Sequence, residues 1–459
     1  MKRTLALLAT CATTLGLMTL AGPQAVAATG CKVDYTITSQ WQGGFQAGVK
    51  VTNLGDPVNG WTLKWTWPDA GQKVTQGWNS TWSQSGSAVS ATNLDWNRTL
   101  ATGGSADLGF TGSFTGSNPK PATFTLNGVA CTGSVGGGDE PPPDPGTGAP
   151  VDVNGQLKVC GVNLCNQYNR PIQLRGMSTH GIQWFSKCYN SASLDALATN
   201  WKADLLRIAM YVQEQGYETD PAGFTSRVNS YVDMAEARGM YALIDFHTLT
   251  PGDPNFNIDR AKTFFASVAA RNAAKKNVIY EIANEPNGVS WTTIKNYAEQ
   301  VIPVIRAADP DAVVIVGTRG WSSLGVSDGS NETEVVNNPV NASNIMYAFH
   351  FYAASHKENY RATVSRAAAK LPLFVTEFGT VSATGGGALD RTSTTAWLDL
   401  LDQLKISYAN WTYSDADESS AAFKPGTCDG GDYSGSGVLT ESGALVKNRI
   451  STTDNFPTN

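Results

Sequence analysis

Val278-Ile279-Tyr280-Glu281-Ile282-Ala283-Asn284-Glu285-Pro286 sets the reading of the larger part of this chain. The stretch opens on a short apolar run of the kind a strand buried on both faces requires, then turns polar and stops at a proline. Leu373-Phe374-Val375-Thr376-Glu377-Phe378-Gly379 repeats that grammar: an apolar run delivering a glutamate at its end. Between such runs lie stripes at helical spacing, as in Phe224, Val228, Tyr231, Val232 and Ala235, or Ile294, Tyr297, Ala298, Val301, Ile302 and Ile305. Eight runs qualify as strands: Ile172–Leu174, Leu205–Ile208, Ala242–Asp245, Val278–Ile282, Val313–Val316, Ile345–Phe349, Leu373–Thr376 and Ile406–Asn410. Strand and helix alternating eight times over residues 150–459 point to a (β/α)8 barrel. A doubly wound open sheet is the competing architecture, and no strand here runs into a G-x-G-x-x-G turn.

Such barrels do chemistry at the C-terminal ends of their strands, so the polar residues there are the candidate site. Arg207 lies near the end of the second strand, His247 follows the third, and Asn284 and Glu285 follow the fourth. His350 and Tyr352 follow the sixth, Glu377 the seventh and Trp411 the eighth. Of the four histidines in the chain, His180, His247 and His350 fall at strand ends, whereas His356 lies beyond one. Glu285 and Glu377 could face each other across the mouth, as the paired carboxylates of glycosidic cleavage do. A structural ion pair with Arg207 is the alternative use for either. Asp245 and Glu281 lie inside strands and read as structural; Glu281, four residues before Glu285, is left outside the site.

The segment N-terminal to this domain has a different grammar. Residues 132–149, TGSVGGGDEPPPDPGTGA, hold no large apolar side chain and read as a linker. Residues 29–131 alternate with period two, as in Phe45-Gln46-Ala47-Gly48-Val49-Lys50-Val51, and show no helical stripe, so a β-sandwich is expected. This segment has no histidine, five acids and six bases, too few ionisable groups for acid–base chemistry. It holds seven of the 13 tryptophans. Trp61, Trp65 and Trp67 share one face of a strand and fit a core. Trp41, Trp78 and Trp96 sit among Gln, Gly, Asn and Ser, and on a rigid sheet they would make a stacking platform for the apolar faces of sugar rings. Residues 1–28, with Lys2 and Arg3 before an uncharged apolar run and Ala25-Val26-Ala27-Ala28 after it, read as a secretory signal peptide.

Composition narrows the function classes. Charged residues make up 16%, and without the signal peptide the chain carries 39 acids against 31 bases. That excludes a basic nucleic-acid binder and suits a polar, uncharged partner. No later stretch could span a bilayer, so no membrane association is expected. Past the signal peptide six cysteines remain: Cys31, Cys131, Cys160, Cys165, Cys188 and Cys428. In an oxidising compartment they suggest three disulfides, for which six cysteines allow 15 connectivities. No C-x-x-C spacing supports a metal site. Cys31 and Cys131 bracket the sandwich, and a bond between them would close its ends.

The segment Cys31–Cys131 resembles a family 2 carbohydrate-binding module through NGWTLKW (59–65), KVTQGWNSTWSQSGSAV (73–89), NLDWN (93–97) and FTLNGVAC (124–131). The resemblance implies cellulose binding through Trp41, Trp78 and Trp96. Residues from about 156 to 449 resemble a family 5 glycoside hydrolase, close to bacterial endo-β-1,4-glucanases. The motifs are QLRGMSTHGIQW (173–184), LLRIAMY (205–211), IYEIANEPNG (279–288), IVGTRGWSS (315–323), AFHFYA (348–353), VTEFG (375–379) and NWTYSD (410–415). The resemblance implies Glu285 as acid/base, Glu377 as nucleophile, and Asn284 on the 2-hydroxyl of the cleaved sugar. Arg207 and Tyr352 would hold the nucleophile, His247 and His350 would lie near the acid/base and the sugar hydroxyls, and His180, Trp184, Tyr211, Trp321 and Trp411 would bind glucose units. It further implies retention, no cofactor or metal, and a monomer acting on cellulose and soluble β-1,4-glucans. A retaining pair should stand about 5–5.5 Å apart. Arg207 would lower the Glu377 pKa, while burial and the Glu377 charge would raise that of Glu285. Cys160 and Cys165 flank an expected turn and should pair, leaving Cys188 with Cys428 across neighbouring loops. A β-mannanase or other β-1,4-glycanase on the same barrel, and a non-catalytic cellulose-binding protein with a decayed barrel, are the rival readings.

Overall fold

The computed structural model describes residues 30–121, 123–131, 133–137, 148–453 and 456. The expected signal peptide, and residues 132 and 138–147 of the expected linker, lie outside the described residues. The chain divides between Glu140 and Pro141 into two compact units.

The first unit is a sandwich of two five-stranded sheets. One runs in the order Gly133–Gly137, Cys31–Trp41, Gly44–Asn53, Ser105–Ser113, Lys73–Trp78; the other runs Val129–Ala130, Phe124–Leu126, Thr62–Thr66, Ala88–Thr92, Thr81–Ser85. Alternation in the sequence becomes alternation in burial. Val33, Tyr35, Phe45, Ala47, Val49 and Val51 point inward from the first sheet, and Leu63, Trp65, Val89, Ala91, Phe124 and Leu126 from the second. Trp61, Trp65 and Trp67 are buried in this core, while Trp41, Trp78 and Trp96 remain 52%, 39% and 69% exposed. Two glycines let exposed rings lie against the sheet. A Cβ on Gly44 would stand 2.4 Å from the Trp41 ring, and one on Gly109 would stand 2.4 Å from that of Trp78. A disulfide joins Cys31 to Cys131.

The second unit is a closed barrel of eight parallel strands: β1 (Arg175–Ser178), β2 (Leu205–Tyr211), β3 (Tyr241–His247), β4 (Val278–Glu281), β5 (Val313–Val316), β6 (Ile345–Tyr352), β7 (Leu373–Gly379) and β8 (Tyr408–Trp411). The first strand corrects the sequence reading. Apolar Ile172 and Leu174 are buried, but they belong to the plug at the barrel's N-terminal end, where Ile172 N–H donates to the Leu164 carbonyl at 2.9 Å. The strand itself is Arg-Gly-Met-Ser. Hydrophobicity could not mark it, because its neighbours require a glycine: a Cβ on Gly176 would stand 2.1 Å from the Leu205 carbonyl oxygen.

The helices sit where their stripes put them. Pro221–Glu236 buries Phe224, Val228, Tyr231, Val232 and Ala235, and its N-terminus is capped by Asp220 accepting from Gly223 N–H. Trp291–Arg306 buries Ile294, Tyr297, Ala298, Val301, Ile302 and Ile305 behind a Ser290 cap. Outward residues of the strands, such as Leu206, Ile208 and Met210, pack with these helices in one core. Inward residues form a separate core: Leu205, Leu243, Ile279, Val313, Ile315, Met346, Ala348, Phe374 and Ala409 pack with Leu157, Leu164 and Leu174. The barrel is therefore filled below its mouth. Cys160 is bonded to Cys165, and Cys188, after β1, to Cys428, after β8.

Phe374 fills the barrel interior with no exposed surface. Phe374→Ala is expected to lose about 3–5 kcal/mol of stability. Denaturant unfolding should show a lower midpoint with an unchanged slope, and a loss below about 1 kcal/mol would contradict a tightly packed interior.

Candidate active site

Period two along β2 turns Leu205, Arg207, Ala209 and Tyr211 into the barrel at successive heights. Leu205 belongs to the packed floor, Ala209 and Tyr211 to the rim with Tyr352, Val381 and Trp411. Between floor and rim Arg207 is wholly buried, and each of its nitrogens is engaged. Nε donates to Glu281 at 2.8 Å, one terminal nitrogen to Glu377 at 3.0 Å and Ser178 at 3.3 Å, and the other to Asn284 at 2.7 Å. That second terminal nitrogen also lies 2.9 Å from Asp245. Glu281, expected outside the site, is thus one wall of it.

Glu377 reaches this cluster because β7 bulges. Ala348 pairs with Phe374 and His350 with Glu377, so three residues of β7 oppose two of β6; a similar shift occurs against β8. The extra residue lets Thr376 and Glu377, adjacent in sequence, both face inward, while Val375 and Phe378 pack outward. The Tyr352 hydroxyl donates to the second Glu377 oxygen at 2.8 Å, so both carboxylate oxygens are held.

Glu285 stands just past β4, with its Oε1 3.0 Å from His350 Nδ1. An oxygen of Glu285 and one of Glu377 lie within 4.8 Å of each other. The backbone that carries Glu285 is pinned from the β5 loop: Ser322 Oγ donates to the Asn284 carbonyl at 2.6 Å, and Trp321 N–H to the Pro286 carbonyl at 3.0 Å. Three non-glycine residues of that loop hold positive φ: Trp321 (57°), Ser322 (54°) and Leu324 (55°). This strained turn leaves Trp321 43% exposed beside the motif it holds.

The two carboxyls differ in electrostatics. Burial raises the Glu285 pKa and the neighbouring Glu377 charge raises it further, against the hydrogen bond from His350. Burial would raise Glu377 as well, but the charges of His350 and Arg207 and the Tyr352 hydroxyl outweigh it, and its pKa lies below the ordinary value. One carboxyl is thus set to keep a proton and the other to stay ionised, the division that acid-assisted displacement requires.

The remaining candidates line the rim. His247 Nδ1 is 2.6 Å from Asp245, its Nε2 is 3.3 Å from the Asn284 amide, and burial lowers its pKa to about 3. Tyr211 stacks on His247 at 4.0 Å between centroids, Trp184 meets Tyr211 at 5.0 Å, and His180 meets Trp411 at 4.9 Å. Together these five rings make a continuous aromatic wall. His356 accepts from Tyr352 N–H through Nδ1 and from the Trp397 indole through its carbonyl, a structural role. Sequence reasoning missed Asp245 and Glu281, each apolar-flanked within a strand, Thr376, beside Glu377, and Glu418, which accepts from the Trp411 indole at 3.2 Å. An acid seven residues past a rim tryptophan was the available signal for the last.

Arg207→Met would strand the ionised Glu281 and Glu377 without their cation, and is expected to destabilise by about 3–5 kcal/mol at neutral pH. In the intact chain Glu281 is held down to about 2. Its contribution to stability is therefore present above its ordinary carboxylate range and lost as pH falls through about 2. In the variant the buried carboxylates titrate above their unfolded values, so stability should rise as pH falls from 7 to 5. Thermal melts across that interval check the sign, and a variant that weakens toward pH 5 would count against the role given to Arg207.

Residues 165–417 match the family model described as cellulase (glycosyl hydrolase family 5), and residues 31–131 match the cellulose binding domain model. The chain is 78% identical to endoglucanase CelA of Streptomyces lividans over 463 aligned residues, covering 100% of each. It is 52% identical to endoglucanase E-5 of Thermobifida fusca, covering 95% of this chain and 94% of that one. The crystal structure of the catalytic domain of Thermobifida fusca endoglucanase Cel5A, in complex with cellotetraose, superposes with a TM-score of 0.66 at 57% identity, covering 66% of this chain and 100% of that one. The chain therefore belongs to the cellulases of glycosyl hydrolase family 5 and carries a cellulose binding domain at its N-terminal end.

Proposed function

We propose that this protein is a secreted endo-β-1,4-glucanase that cleaves internal bonds of cellulose with retention at the anomeric carbon. The observation that carries the reading is the approach of Glu285 and Glu377, with an oxygen of each within 4.8 Å. Retaining pairs stand about 5–5.5 Å apart and inverting pairs about 6.5–9.5 Å. Family membership supports both the reaction class and its stereochemistry, and the endoglucanase names of the relatives support β-1,4-glucan as substrate.

In this reading a glucan chain lies along the aromatic wall of His180, Trp184, Tyr211 and Trp411 and extends past Trp321. Glu377 attacks the anomeric carbon through a carboxylate oxygen. As that C–O bond forms, the bond to the leaving sugar breaks, and Glu285 passes its proton to the departing oxygen. Arg207 and Tyr352 hold Glu377 ionised and aimed, so it pays no reorientation cost on attack. Asn284, fixed between Arg207 and His247, accepts the role of binding the 2-hydroxyl, where contact strengthens in the transition state. In the second half Glu285, now a carboxylate, removes a proton from water, the water oxygen attacks the anomeric carbon, and Glu377 leaves. No step requires a cofactor or metal. The N-terminal module, through Trp41, Trp78 and Trp96, keeps a monomeric enzyme at the cellulose surface and raises the local concentration of internal β-1,4 bonds. Residues 1–28 direct export; Gly133–Gly137, expected in the linker, belongs to the first unit's sheet, and the chain after it joins the two units.

Glu377→Gln keeps the shape and removes the nucleophile, so kcat on a soluble cellulose derivative should fall by about 10⁴-fold or more. Reducing-sugar release from soluble cellulose, mannan and xylan tests the substrate in the same assay. Release mainly from mannan would keep the chemistry and overturn the glucan assignment; no release from any would favour a binding protein.

Trp78→Ala should abolish adsorption to crystalline cellulose while leaving kcat on the soluble derivative unchanged. Unaltered adsorption in a pull-down would remove Trp78 from the platform.

A further inference from the structure

Behind the two carboxyls, a line of hydrogen bonds runs through the barrel wall from Glu285 to Arg207. His350 Nδ1 faces Glu285 at 3.0 Å, and its Nε2 lies 2.8 Å from Thr376 Oγ1. Thr376 Oγ1 in turn lies 2.6 Å from Glu281 Oε1, and Glu281 Oε2 accepts from Arg207 Nε at 2.8 Å. Thr376 and Glu281 have no exposed surface, and neither enters the reaction described above.

The direction of each bond follows from counting hydrogens. Burial would raise the Glu281 pKa, but the charges of Arg207 and of the nearby His350 bring it down to about 2, so Glu281 is a carboxylate and only accepts. Thr376 has one hydroxyl hydrogen, and Glu281 takes it. The Thr376 oxygen then offers His350 only lone pairs, and the hydrogen in that bond must come from Nε2. We propose that Glu281 and Thr376 are positioning residues that lock His350 as its Nε2–H tautomer, leaving Nδ1 as the one atom through which His350 exchanges a proton with Glu285. The proposal rests on the reading of Glu285 as the acid/base.

Locking the tautomer has a catalytic consequence. With one proton between them, the pair has two forms: a Glu285 carboxyl donating to bare Nδ1, or an imidazolium donating to a Glu285 carboxylate. They interconvert when the hydrogen leaves Oε1 and binds Nδ1, with no ring rotation and no exchange with solvent. The opposite tautomer would fix a hydrogen on Nδ1 in the neutral ring, favour ionised Glu285 and deplete the acid. The charged groups around His350 are Glu285 and Glu281 from β4 and its loop, Glu377 from β7 and Arg207 from β2. Asp245 and His247 lie behind these on β3, and His356 lies beyond β6. Burial opposes a charge on the ring, but Glu281, 3.7 Å from Nε2, the hydrogen bond to Glu285 and the Glu377 charge outweigh it and raise the His350 pKa to about 9. The pair keeps its last proton well into the alkaline range.

The test uses the full chain labelled with ¹⁵N-histidine. Long-range ¹H–¹⁵N correlation spectra, with His350 assigned from the peaks lost in His350→Gln, distinguish protonated from bare ring nitrogens. Above pH 9, wild-type Nε2 should carry the hydrogen and Nδ1 should be bare. In Glu281→Gln the amide oxygen stays on Arg207 and the NH₂ donates to Thr376. The threonine hydroxyl then turns to donate to Nε2, and the hydrogen should move to Nδ1. Thr376→Val, which removes the acceptor outright, should shift the tautomer the same way even if Glu281→Gln fails to fold, and Thr376→Ser should restore wild-type behaviour. In parallel the alkaline limb of kcat/KM should fall by about one pH unit or more in the Gln and Val variants and not in Ser. A wild-type Nδ1–H ring, or an Nε2–H ring with an unmoved alkaline limb in Thr376→Val, would overturn the proposal. Because the spectra need no substrate, they would still decide the tautomer if the glycanase reading itself failed.

Discussion

One guanidinium supports the chemistry of this barrel. Arg207 is wholly buried, and desolvating a cation alone costs several kcal/mol, so it persists only because every donor is met. Its neighbours are three carboxyls, Asp245, Glu281 and Glu377; its charge helps hold Glu281 and Glu377 below the ordinary carboxylate range, whereas at Asp245 burial outweighs it and the pKa lies well above that range. The arrangement is mutual: the cation cancels the carboxylates, and the carboxylates keep the cation charged. Glu377 is the member of this set at the open end, and it stays ionised because its charge belongs to the cluster. Glu285 makes no hydrogen bond to Arg207, and burial, His350 and the Glu377 charge dominate its pKa.

Packing below and strain above aim this cluster. The interior of Leu243, Ile279, Met346 and Phe374 closes the barrel beneath Arg207, so its carboxylates meet no water from that side. At the top, the β7 bulge turns two consecutive residues inward, giving the strand both a reacting carboxylate and the hydroxyl behind it. The loop after β5 spends three left-handed non-glycine residues to hold the Asn284–Pro286 backbone, at roughly 1–3 kcal/mol each. Stability elsewhere in the barrel offsets that strain, and the site gains a fixed position for Glu285.

The first unit solves a different problem with different residues. It needs no shifted pKa and has almost no buried charge; its function is shape. A sandwich core rich in tryptophan makes the sheet rigid, and glycines at 44 and 109 leave room for aromatic rings to lie against it. Rings so placed present flat apolar faces at little entropic cost, which suits an extended, uncharged polymer surface.

The sequence alone determined the two-part architecture and the barrel, because buried parallel strands and amphipathic helices leave periods that composition cannot hide. It also marked Glu285, Glu377, Arg207 and the rim aromatics, since polar residues that end apolar runs stand out. Other features depended on contacts between distant segments. Strand β1 was misplaced by three residues because its Arg-Gly-Met-Ser is set by the approach of Leu205, not by its own hydrophobicity. Glu281 and Asp245 looked structural because nothing in a single strand reveals that one arginine, dozens of residues away, gathers them. Glu377, next to inward Thr376, should point outward by simple alternation from Phe374, and only the bulge brings both to the same side. Local periodicity is written in neighbouring residues, whereas charge pairing, bulges and hydrogen-bond direction exist only once separate strands meet.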